Sequence, residues 1–134
     1  MSPLPHTTLP KILVITGSRS LTSAADLHSH FARIFPAWCP SMTTIRIGDA
    51  KGVDRIAYTW LQNHPELLQH ATLQQYKPDW KKYGQSAGLI RNNAMLQGAT
   101  HVIAFWDEKS RGTKHTIDQG RHKGCIVKVV CCTP

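Results

Sequence analysis

Two unbroken apolar runs, Lys11-Ile-Leu-Val-Ile-Thr16 and His101-Val-Ile-Ala-Phe-Trp106, limit what this chain can fold into. A strand that faces water on one side alternates apolar and polar residues. A run without alternation belongs to a strand covered on both faces, as in a parallel sheet sandwiched between helices. Three weaker runs complete the set: Thr43-Thr-Ile-Arg-Ile47, His70 to Tyr76, and Cys125-Ile-Val-Lys-Val-Val130.

Amphipathic stretches separate these runs. Leu21-Thr-Ser23 opens a helix with Ala24, Leu27, Phe31, Ile34 and Phe35 at helical spacing, ended by Pro36 and Pro40. Val53, Ile56, Ala57, Trp60 and Leu61 form the clearest apolar stripe. A third helix is expected near Gln85 to Gln97, with Ala87, Ile90 and Ala94 on one face. A fourth runs from Thr113 to about His122, with Ile117 as its large apolar residue. Strands alternating with helices imply right-handed crossovers, so the expected class is α/β: a three-layer α/β/α sandwich around a five-stranded parallel sheet. Residues 11–134 read as one domain, and residues 1–10 as a flexible Pro- and Thr-containing tail without the pattern of a secretory signal.

Composition narrows the function. Lys and Arg number 16 against 8 Asp and Glu, a formal charge of +8, with a pI near 9.6. Such an excess favours polyanions, either nucleic acid or phosphorylated small molecules. No apolar run reaches the roughly 20 residues that span a bilayer, so no membrane partner is expected. Cys39, Cys125, Cys131 and Cys132 lack paired zinc-ligand spacing, so no metal site is expected, and reduced thiols in a cytoplasmic setting are. No cofactor is implied.

Ligands of open parallel sheets bind beyond the carboxyl ends of the strands, so the loops that follow the strands are where chemistry is expected. The first holds Gly17, Ser18 and Arg19. The second is Gly48-Asp-Ala-Lys-Gly-Val-Asp54, contributing Gly48, Asp49, Ala50, Lys51, Gly52 and Asp54. The loop after the fourth strand ends in Gly112 and Thr113 at a helix start. Glycine admits an anion to the backbone, arginine grips phosphate bidentately, and a helix N-terminus presents free N–H groups to it. Each has a plain alternative: a tight turn for the glycines, a helix cap for the threonine. After the third strand, Trp80 among Lys81 and Lys82 suits stacking a base, or plugging the sheet edge. Arg91 and Asn92 lie early in a helix of otherwise small residues, placed for the site or for plain solvent exposure. Neither G-x-G-x-x-G nor a Walker A pattern occurs.

Gly17-Ser-Arg19, Gly48-x-Ala-x-Gly-x-Asp54, Asp79-Trp80, Tyr83-Gly84, Ala87-Gly88, Arg91-Asn92 with Met95, and Gly112-Thr113 together resemble the SLOG superfamily, in its YspA/cpYpsA-related branch, over Ile12 to Val130. The resemblance implies a Rossmann-like fold that binds nucleotides or nucleotide-derived ligands, with homodimers as a frequent state. Leu89 and Leu96 are candidates for such an interface. The related Lonely Guy phosphoribohydrolases carry P-G-G-x-G-T-x-x-E. Here the matching stretch, Glu108 to Thr116, lacks the proline and first glycines and has Thr116 in place of the glutamate. Threonine cannot serve as the general base near neutral pH.

Three readings stay open: binding or sensing of a nucleotide or ADP-ribose-like phosphorylated small molecule; a nucleoside-phosphate N-glycosidase with Arg91 and Asp54 as candidate catalytic residues; and a module for single-stranded nucleic acid, since the superfamily also has a DNA-processing branch. In the first, Gly17, Ser18, Arg19, Gly112 and Thr113 hold phosphate, Asp54 accepts from a ribose hydroxyl, and Trp80, Arg91 and Asn92 face the base or second sugar.

Overall fold

The computed structural model describes residues 9–134; most of the expected N-terminal tail lies outside them. Strands β1 (Ile12–Gly17), β2 (Thr44–Gly48), β3 (Thr72–Tyr76), β4 (His101–Trp106) and β5 (Ile126–Cys131) form one all-parallel sheet in the order β3-β2-β1-β4-β5. The helices are α1 (Ala24–Trp38), α2 (Val53–Gln62), the single turn α3 (Trp80–Tyr83), α4 (Ala87–Leu96) and α5 (Arg111–His122). The fold is the expected α/β sandwich with Rossmann-like topology.

Strand alternation sorts the core into two layers. Leu13, Ile15, Ile103 and Phe105 point toward α1 and α2, whereas Val14 and Val102 pack with Met95 and Leu96 of α4 on the other face. The larger layer centres on rings. Phe31 stacks on Phe35 at 4.7 Å, and Phe105 and Trp60 meet both edge-on at 5.2–6.0 Å. Such pairings suit the negative face and positive rim of aromatic rings. Cys39 lies in this layer, and burial pushes its thiol up to about 12, so it packs as an inert apolar group.

The structure corrects several local expectations. Helix α1 runs through Pro36, at the loss of the bond to the Ala32 carbonyl, with only Ala37 and Trp38 left beyond it; Pro40 sits in the following 3-10 turn. Ala24, in the first turn, is exposed. On α4 the buried face carries Ala87, Arg91 and Met95, while Ile90 and Ala94 are exposed. Leu96 is buried against the sheet and is not free for an interface. Helix α5 begins two residues early, at Arg111, because Ser110 is its cap and accepts from the Thr113 N–H. Strand β3 begins at Thr72 rather than His70, as an edge strand only half covered. Among the described residues, no helix is long and apolar enough to cross a membrane.

Strand order sets the location of the site. From β1 the chain winds outward through β2 to β3, then returns to the other side of β1 as β4. The loops leaving β1 and β4 therefore diverge toward opposite faces, and a crevice opens between them.

Candidate functional site

Ser18 closes the floor of that crevice. Its N–H donates to the Phe105 carbonyl at 3.0 Å, its hydroxyl donates to Asp107 Oδ1 at 3.1 Å, and it accepts from the Asp107 N–H at 3.1 Å. Asp107 then gathers the loop after β4. It accepts from the Ser20 hydroxyl at 2.6 Å and from the N–H groups of Ser110 at 2.7 Å and Lys109 at 2.9 Å. The Ser20 bond first, then the Ser110 and Lys109 N–H groups, hold its carboxyl well below the usual carboxylate range. The Ser110 hydroxyl meets that of Thr113 at 3.1 Å, completing the cap of α5.

Across the crevice, β2 ends at Gly48, and two buried charged groups press against it. A Cβ built there would stand 2.5 Å from Asp54 Oδ2 and 2.7 Å from Arg91 Nη1. Gly48 is thus a packing requirement of the site, as is Gly17, whose Cβ would run into Val53. Gly52, the residue that precedes α2, has φ +85°, and its α-carbon faces the carbonyls of Ser18 and Arg19. The first two loops thereby rest on each other.

Asp54, in the first turn of α2, is 5% exposed. Its Oδ2 accepts from the Ala50 N–H at 3.1 Å, and its Oδ1 is buried with no hydrogen-bond partner among the described residues. Desolvation raises its pKa to about 6, against the opposing pull of the Arg91 charge and the Ala50 N–H. Arg91 is 7% exposed. Its Nε donates to Asn92 Oδ1 at 2.8 Å, and its Nη1 donates to the Tyr76 carbonyl at 3.2 Å and pairs with Asp49 Oδ1 at 3.4 Å.

These groups surround a cavity of about 480 Å³, within the ordinary size of a small-molecule site. Of the residues expected from sequence, Gly17, Arg19, Ala50, Asp54, Trp80, Arg91, Asn92, Gly112 and Thr113 line it. A second cavity of about 290 Å³ adjoins it, sharing Arg19, Ala50, Trp80 and Arg91 and adding Asp49 and Lys51. Ser18, Gly48 and Gly52 line neither cavity; they form its floor and supports. Trp80 is half exposed, so its indole stands at the cleft and does not plug the sheet edge. Gly112 is different from the other site glycines: a Cβ there meets nothing within 4 Å, so neither packing nor backbone conformation explains it.

Sequence reasoning missed Asp107, Ser20, Ser110 and Arg55. Asp107 and Ser110 had a readable signal, an Asp that begins a loop three residues before a Ser at a helix start. Arg55 had none, since its position follows from the path of the preceding loop: its Nε donates to the Asp49 carbonyl at 2.9 Å. Among the described residues, no three His, Cys, Asp or Glu side chains converge as a metal site would need.

No family model and no solved structure matches the chain. Over 81 residues it is 32% identical to the Gene 61 protein of Mycobacterium phage D29, an alignment that covers 60% of this chain and 65% of the phage protein. The likeness extends to just under two thirds of that relative's length, and the relative's name states no activity.

Proposed function

We propose that the cleft binds a nucleotide or nucleotide-derived, ADP-ribose-like ligand, and that the chain is a SLOG-type binding or sensing domain. One observation carries the reading. Arg19, Arg91 and a buried Asp54 with an unpartnered oxygen, drawn from three separate segments, line one cavity at the point where strand order reverses. Guanidinium groups suit phosphate, a buried carboxylate oxygen without a donor suits a sugar hydroxyl, and a half-exposed indole suits a base. The +8 charge supports attraction of anions from a distance. Titration calorimetry against a panel of nucleotides is expected to detect binding that Arg19→Ala weakens at least tenfold, about 1.4 kcal/mol. Equal affinity in the two proteins would contradict the assignment.

The raised pKa of Asp54 favours a second reading, as an N-glycosidase. A carboxyl that titrates near 6 inside a cleft is a competent general acid at neutral pH. Incubation with nucleoside monophosphates should then release free base, measured by chromatography. Release no faster than without protein would remove this reading and leave the first intact.

A further inference from the structure

We infer that the smaller cavity is a phosphate subsite and that the ligand is at least a nucleoside diphosphate, its diphosphate lying over Lys51, Arg55 and Arg19 rather than in the serine-lined end of the main cavity. The inference rests on the nucleotide-binding reading and specifies which part of the ligand sits where.

The charge of the two cavities differs. In the main one, Arg19 and Arg91 face Asp54 and Asp107, two cations against two carboxyls. In the smaller one, Arg19, Lys51, Arg55 and Arg91 face Asp49 alone, and Asp49 is already paired with Arg91. An anion gains far more from the second.

The serine-lined end repels phosphate for a separate reason. The hydroxyls of Ser18 and Ser20 and the N–H groups of Lys109 and Ser110 all donate to Asp107. Donors that would otherwise cradle a phosphate are already bound, and the group they bind is itself an anion. A phosphate placed beside Asp107 would meet negative charge and spent donors. A neutral sugar or base meets neither obstacle, and Asp54 Oδ1 is there to accept from a hydroxyl. Arg55 is held toward the smaller cavity by its bond to the Asp49 carbonyl, so its guanidinium is positioned before any ligand arrives.

Calorimetric titrations of adenosine, AMP, ADP, their guanosine counterparts and inorganic pyrophosphate test this, in the wild-type chain and in a Lys51→Ala/Arg55→Ala double variant. Both residues are exposed, and an unchanged urea midpoint would establish that the variant folds. In the wild type, the diphosphate of one base is expected to bind at least tenfold more tightly than its nucleoside. In the variant, that ratio is expected to fall below threefold, with loss of pyrophosphate binding. A wild type that binds the diphosphate no more tightly than the monophosphate, or a variant that keeps the full ratio, would overturn the subsite while leaving nucleotide binding in place. Absence of binding across both series would overturn the nucleotide reading together with it.

Discussion

Cutting Phe105 back to alanine is expected to lower the free energy of unfolding by about 3–5 kcal/mol. Phe105 is fully buried on the strand that borders the crevice, with ring contacts to Phe31 and Phe35. These neighbours lie on α1, which the sheet holds in place, so the walls cannot collapse to fill the void. A domain of this size has about 5–15 kcal/mol in total, so the loss is a large share of it. A urea titration followed by far-UV circular dichroism reads the change. A loss below about 1 kcal/mol would mean that the aromatic layer is not packed as described. The same residue supports the site, since its carbonyl receives the Ser18 N–H on the crevice floor.

Replacing Asp54 by asparagine is expected to have the second-largest effect, and its sign depends on pH. The folded-state pKa of about 6 lies above the ordinary value of 3.8. Between those values the folded protein therefore binds more protons than the unfolded chain. The stability contributed by the protonated carboxyl is fully present below about pH 4 and is lost as pH rises through 6, by on the order of 3 kcal/mol. An asparagine side chain does not titrate, so the variant is expected to lack that decline and to exceed the wild type in stability at pH 7–8. Asp107 acts in the opposite sense. Its depressed pKa gives stability that is present above the ordinary carboxylate range and lost as pH falls below it, a window that both proteins share. Urea midpoints at pH 4, 5, 6 and 7 isolate the difference. Parallel profiles would contradict the account of Asp54. A buried carboxylate kept at such a cost fits a site in which a ligand supplies the missing donor, the usual conflict between stability and function.

The strands buried on both faces were legible because burial there depends on the strand alone. Leu13, Val14 and Ile15 need only be apolar, whichever face each takes. Helix α4 was not legible in that way. Its inner face carries Arg91, which an amphipathic pattern assigns to water. Arg91 can be buried because Asp49, 42 residues earlier, and the Tyr76 carbonyl receive it, and no local window contains those partners. The site followed a similar division. Three glycine-bearing loops could be assigned to one sheet edge from topology alone. The reasons for the individual glycines could not: Gly17 yields to Val53 and Gly48 to Asp54 and Arg91, contacts that exist only once helix and strand have met. The local half of Asp107's role, its bonds to the Lys109 and Ser110 N–H groups, was readable from its spacing to Ser110; its bonds to Ser18 and Ser20 were not, because they join loops nearly ninety residues apart.

Amide chemical-shift mapping during titration of the isotope-labelled chain with ADP tests the central claim most directly. Saturable shifts are expected to concentrate at 17–20, 50–55, 88–92 and 110–113, the segments that meet over the β1–β4 crevice. Shifts clustered on another surface, or a spectrum unmoved by any nucleotide tried, would contradict it.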